Sequence, residues 1–143
     1  LISGSRDNTA RQWDLKTGKE IEEAQGVCEE SLSVWAVAVS RNGKWVATGG
    51  GDRERAKLEV CEVETGIVKT FKGHSWRITC IDISAEQHTE LASGSWDTTA
   101  RIWNLDTGKL VFKSESLVGA VRFSPDSKKL AVMSTRTRLE VWD

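Results

Sequence analysis

Short apolar and β-branched runs broken by turn residues pattern this chain, in place of apolar stripes at helical spacing, and such a pattern predicts strands. Three runs share the order apolar-x-x-apolar-x-apolar: Val34/Val37/Val39, Ile78/Ile81/Ile83 and Val118/Val121/Phe123. Strand side chains alternate with a period of two, so the three-residue step predicts a β-bulge that re-aims one side chain. Each such run opens a series. The first series is Val34–Ser40, Trp45–Gly49, Lys57–Val63 and Ile67–Lys72. The second is Ile78–Ser84, Glu90–Ser95, Ala100–Leu105 and Lys109–Lys113. The third is Ala120–Ser124, Lys129–Ser134 and Arg138–Asp143. Ahead of them stand Leu1–Ser5, Ala10–Asp14 and the polar Lys19–Ala24, a series without its innermost strand. Thr-Gly turns such as Lys16-Thr17-Gly18, Glu64-Thr65-Gly66 and Asp106-Thr107-Gly108 precede the charged outer strands, which are expected at a rim facing water.

The series repeat in wording as well as in pattern. Ser3-Gly4-Ser5-Arg6-Asp7-Asn8-Thr9-Ala10-Arg11-Gln12-Trp13 returns ninety residues later as Ser93-Gly94-Ser95-Trp96-Asp97-Thr98-Thr99-Ala100-Arg101-Ile102-Trp103. Extended through Lys19 and Lys109, the copies agree at 12 of 17 positions. The strand-end residues Trp13, Cys61, Trp103 and Trp142 are spaced by 48, 42 and 39. A period of about 40–45 is that of four-stranded propeller blades. The expected fold is all-β: a partial β-propeller of antiparallel blades, complete over 27–73 and 74–115 and incomplete over 1–26 and 116–143, continuing beyond both ends.

With Gly73-His74 leading a unit, Ser-Gly-Ser-x-Asp inside it and Trp103-Asn104 or Trp13-Asp14 at the strand end, the chain resembles the WD-repeat family of β-propellers, and its wording is most similar to tandem WD-repeat proteins of fungi. The resemblance implies a hydrogen-bonded relay in which His, Asp, Ser or Thr, and Trp support one another, as a buried indole and imidazole each need a partner. His74, Ser93, Asp97 and Trp103 match it fully; Ser3, Asp7 and Trp13 match it without the His. The second unit has Thr48 and Asp52 but Cys61 in place of Trp, a position read as a small buried hydrophobe, and the fourth has Val132 and Arg136 in place of Ser and Asp.

The resemblance also implies that partners are met on the narrow face built from the turns after each second strand and from the connections between blades. Trp96 stands out there, with Arg6, Gly51 and Thr135 as counterparts. Along the bulged strands the corresponding positions are Ser33 and Trp35, Arg77 and Thr79, and Leu117 and Gly119. The candidate partner-binding residues are Arg6, Trp35, Arg77, Thr79 and Trp96, since Trp and Arg are enriched where binding energy concentrates. The alternative for Trp35 and Trp96 is that they cover the channel mouth or pack between blades. Trp76 reads as inter-blade packing and Trp45 as core.

Composition narrows the function. With 143 residues, 38% hydrophobic, 29% charged and net charge −1, the chain reads as globular, and nothing in its overall charge favours nucleic acid or membrane. No apolar run has bilayer length and Leu1–Arg6 shows no export pattern. Cys28, Cys61 and Cys80 are odd in number and far apart, which suggests reduced thiols and an intracellular setting, cytoplasmic or nuclear. His88 has no Cys or His near it in sequence, so no metal site is expected. Lys16-Thr17-Gly18 lacks an accompanying Ser-x-x-Lys. Gly49-Gly50-Gly51-Asp52 lacks the Lys of a phosphate loop and is expected to serve a turn needing positive φ. Asp52-Arg53-Glu54-Arg55 reads as a solvated loop. No catalytic residue and no cofactor are expected. The expectation is a non-catalytic protein–protein interaction scaffold whose partners are proteins or peptides, and which self-associates as an isolated fragment. The rival readings are a glycan-binding or small-ligand propeller using surface Trp residues, and a regulatory propeller fused to a catalytic domain.

Overall fold

The computed structural model describes residues 1–7, 9–21, 33–84, 90–115, 118–134 and 139–142. All of its elements are strands: β1 (Ile2–Gly4), β2 (Ala10–Gln12), β3 (Val34–Val39), β4 (Trp45–Gly51), β5 (Ala56–Glu62), β6 (Val68–Thr70), β7 (Ile78–Ile83), β8 (Glu90–Ser95), β9 (Thr99–Asn104), β10 (Leu110–Glu115), β11 (Val118–Phe123), β12 (Leu130–Ser134) and β13 (Leu139–Trp142). They form four antiparallel sheets in simple meander order: β1-β2, β3-β4-β5-β6, β7-β8-β9-β10 and β11-β12-β13. Beyond β2 the first sheet is continued by a single Trp13–Glu20 bridge; residues 22–24 of the expected Lys19–Ala24 strand lie outside the described residues, as do Cys28, His88, Leu117, Thr135 and Arg136.

The innermost strands carry the bulges that their spacing predicts. Register slips between Val34 and Ala36, between Ile78 and Cys80, and between Val118 and Ala120. One residue in each strand, Trp35, Thr79 or Gly119, is thereby left unpaired and turned out of the ladder. A further slip in β10, between Leu110 and Phe112, has no counterpart in the sequence pattern.

Successive sheets pack because the middle strands are small where the next innermost strand is large. A Cβ placed on Gly4 would meet Val34 Cγ1 at 2.6 Å, one on Gly49 would meet Ile78 Cγ2 at 2.7 Å, and one on Gly94 would meet Val118 Cγ1 as well as Cys80 Sγ at 2.5 Å. Three repeats thus use the same glycine to admit the first apolar residue of the following sheet. Gly94→Val is expected to lower stability by about 1–3 kcal/mol by overpacking this joint, measured by urea denaturation; an unchanged midpoint would contradict the packing account.

The same comparison corrects the reading of Gly49–Gly51 as a turn. β4 runs through all three, and only Gly51 has positive φ, at 126°. Gly49 faces Ile78 and Gly50 faces the Ser33 carbonyl, so two of the three glycines serve close approach and not turn geometry.

Between the second and third sheets lies the larger apolar cluster, with Trp45, Leu58, Val60, Phe71, Ile78, Ile81, Leu91, Trp103 and Leu105. A second joins the third and fourth sheets through Ala92, Ala100, Val118, Val121, Leu130 and Val132. Trp45 is core, as its strand position suggests. Cys61 is only half-buried, because its place in β5 lies beside the exposed outer edge at Val68, its partner across the ladder. Met133, Leu139, Val141 and Trp142 leave an apolar surface exposed on the last sheet.

Candidate functional site

The backbone at one end of the sheets is stitched from repeat to repeat. Val34 N donates to Ser5 O at 3.1 Å, Gly51 N to Ser33 O at 3.1 Å, Arg77 N to Asp52 O at 3.0 Å and Trp96 N to Arg77 O at 3.1 Å. The Val34–Ser5 and Arg77–Asp52 bonds anchor β3 and β7 to the turn that follows the second strand of the sheet before, and the other two tie that turn to the innermost strand of its own sheet. A side chain on any of these turns is held relative to those on the next sheet.

Beneath this face a buried polar network locks the third sheet. Asp97 Oδ2 accepts from His74 Nδ1 at 2.7 Å, His74 Nε2 lies 2.8 Å from Ser93 Oγ, and Trp103 Nε1 donates to Ser93 Oγ at 2.9 Å. With Nδ1 donating, Nε2 is left to accept from the Ser93 hydroxyl, whose oxygen takes the indole N–H. The side chains of His74 and Asp97 are 1% and 5% exposed, so each bond forms out of water, where it counts for more. Thr99, absent from the sequence reading, joins too: its Oγ1 lies 2.7 Å from Asp97 Oδ1 and 3.2 Å from His74 Nδ1. The signal was present, since Asp-x-Thr recurs as Asp7-Asn8-Thr9 and Asp97-Thr98-Thr99. Burial pushes the Asp97 carboxyl up, but bonds from His74, Thr99 and Ser75 overcome this and hold it well below the usual carboxylate range.

The first sheet has the same parts in a looser form. Trp13 Nε1 donates to Ser3 Oγ at 2.8 Å, and Asp7 accepts from Thr9 Oγ1 at 2.6 Å, which holds its carboxyl below the ordinary value. No described histidine joins Ser3 to Asp7. In the second sheet Asp52 turns inward on its own loop and accepts from the Glu54 and Arg55 backbone at 2.9 Å each.

On the outer side of the turn face four of the five candidate partner-binding residues stack in sequence. The Arg6 guanidinium lies 4.6 Å from the centroid of Trp35, that of Arg77 lies 5.0 Å from the same ring, and Arg77 also lies 3.8 Å from the Trp96 ring. The stack crosses from the first sheet to the third. Each cation–ring contact contributes about 0.5–1 kcal/mol when exposed. Trp35 and Trp96 nevertheless remain 36% and 48% exposed. Sequence reasoning named the four residues without their mutual contacts, which depend on the joint between sheets.

Arg77 Nε is buried and has no hydrogen-bond partner among the described residues, a state that costs about 1–3 kcal/mol for a buried donor. Thr79 stands apart from the stack: its hydroxyl is half-buried and bonds back to Gly94 O at 3.5 Å. Trp76, read as inter-blade packing, is 43% exposed and lies outside both apolar clusters.

Residues that might do chemistry are held in other ways. Burial pushes the Cys80 thiol up, which opposes a nucleophilic role. Among the described residues no group of three or more His, Cys, Asp or Glu is placed to hold a metal, and no helix is long and apolar enough to cross a membrane.

Residues 25–54 and 66–104 match the family model described as "WD domain, G-beta repeat". The chain belongs to the WD-repeat family. This WD-repeat chain is 31% identical over its whole length to the nuclear distribution protein PAC1 of Coccidioides posadasii, of which it spans 34%. It is 27% identical over its whole length to the nuclear distribution protein nudF of Emericella nidulans, spanning 36% of that protein. Over 78% of the chain it is 30% identical to autophagy-related protein 16 of Arabidopsis thaliana, spanning 21% of that protein. The chain thus covers well under half the length of these relatives, and its WD repeats are what it shares with them.

Proposed function

We propose that this WD-repeat segment is a non-catalytic platform for protein–protein interaction and that its partner meets the face bearing Arg6, Trp35, Arg77 and Trp96. One observation supports this most: two large aromatic rings stay substantially exposed while guanidiniums from two sheets hold them in place. Rings fixed before binding avoid much of the ordering cost that flexible side chains incur on association. Display on turns of a rigid scaffold is a common way to carry function. WD-repeat proteins are interaction scaffolds in general, and an intracellular setting, cytoplasmic or nuclear, agrees with relatives named for nuclear distribution and with the free Cys61 and Cys80 thiols.

The glycan reading is the weaker one. A sugar stacks on an open ring face, whereas Arg6 and Arg77 lie over Trp35 and Arg77 lies over Trp96.

Affinity capture from source-cell lysate, comparing the wild type with Trp35→Ala/Trp96→Ala after circular dichroism shows both folded, tests the proposal. A protein retained by the wild type and lost from the double variant is expected. Equal capture by both would remove this face from the account.

A further inference from the structure

Arg6 and Arg77 have no acidic partner among the described residues. No ion pair of the described residues involves either guanidinium. Three aspartates of the neighbouring turns are engaged elsewhere: Asp7 with Thr9 and Arg11, Asp52 with its own loop and Arg55, Asp97 with His74 and Thr99. Two permanent positive charges therefore stand on the turn face without an ion-pair partner among the described residues.

Their posture is that of an anion receptor. A guanidinium whose flat face lies over an aromatic ring keeps its edge, where the N–H groups lie, for in-plane pairing with a carboxylate. Arg77 Nε is buried without an acceptor among the described residues.

Both guanidiniums lie within 5.0 Å of one ring centroid. In an extended peptide, side chains two residues apart point the same way and are separated by about 7 Å, which suits two carboxylates reaching the two arginines. We propose that the Arg6–Trp35–Arg77–Trp96 stack binds an extended, carboxylate-bearing peptide segment of a partner protein, with acidic side chains on alternate residues. The inference rests on the reading of this face as the partner surface and adds the partner's chemistry.

Fluorescence polarisation with labelled dodecapeptides tests it, using alternating Glu-Ala, Gln-Ala, Lys-Ala and phosphoserine-Ala sequences. In about 50 mM salt the Glu-Ala peptide is expected to bind at least about ten-fold more tightly than its Gln and Lys counterparts, and to weaken as salt rises to about 500 mM. Arg6→Met and Arg77→Met should each weaken it at least about five-fold with the thermal melt retained, and Arg77→Lys should not restore it, because an ammonium has no planar fork. Arg6, on an exposed turn, keeps the test decisive if the Arg77 variant loses its fold.

Equal binding of the Gln-Ala peptide, binding of the phosphoserine peptide alone, no binding of any peptide, or indifference to both Arg substitutions would each overturn the proposal. If lysate capture still depends on Trp35 and Trp96 while the acidic peptide does not bind, the face stands and its acid preference falls. If capture is indifferent to those tryptophans, the face itself falls.

Discussion

Trp103→Ala is expected to lower the unfolding free energy by about 3–5 kcal/mol, measured by urea denaturation followed by far-ultraviolet circular dichroism. The ring is 3% exposed and sits in the cluster that joins the second and third sheets. It meets Phe71 edge-on at 5.7 Å and His74 at 6.2 Å between centroids. Truncation therefore opens a void at the joint and also removes the indole donor from Ser93. Trp103→Phe separates the two effects: it keeps most of the apolar volume, loses one hydrogen bond and should cost about 1–2 kcal/mol. Trp13→Ala should cost less than Trp103→Ala, since Trp13 is half-buried and bonds only to Ser3 among the network positions. A loss under about 1 kcal/mol for Trp103→Ala would contradict the packing described for this joint.

Asp97→Ala is the second large effect, expected at about 2–4 kcal/mol because several donors lose one acceptor together. His74 Nδ1, Ser75 N, Thr99 N and Thr99 Oγ1 all donate to this carboxylate. Its depressed pKa also fixes the direction of a pH dependence. A carboxylate held below its ordinary value of 3.8 stabilises the fold at every pH above that value, and the stabilisation is lost as pH falls from there toward the depressed folded value. The gap in stability between wild type and Asp97→Ala should be constant from pH 7 to about pH 5 and should shrink below about pH 4. Chemical denaturation at a series of pH values measures it; a gap that widens on acidification would refute the assignment.

Strands were legible in the sequence wherever apolar residues alternate, and the bulges were legible because a three-residue step breaks that alternation at Val34, Ile78 and Val118. What the chain obscured shares one cause, dependence on the neighbouring repeat. Gly49 and Gly50 looked like turn residues because glycine serves positive φ and close approach alike, and only the facing Ile78 and Ser33 tell the two apart. Trp76 looked like packing, yet it is 43% exposed and lies outside both apolar clusters. Arg6, Trp35, Arg77 and Trp96 were legible one at a time from their places on turns and bulges. Their stacking was not, because Arg6 and Trp35 lie on different sheets, as do Trp35 and Arg77.

Stability is assigned to the buried network under the turn face, and recognition is proposed for the aromatic–arginine stack above it. Two substitutions of one residue type separate these roles: Trp96→Ala on the exposed stack and Trp103→Phe in the buried network. The decisive measurement is affinity capture of the same partner protein by both variants and the wild type, at a temperature where circular dichroism shows all three folded. The account predicts that capture falls at least about ten-fold for Trp96→Ala and stays near wild type for Trp103→Phe. Retained capture by Trp96→Ala together with loss in Trp103→Phe would contradict it.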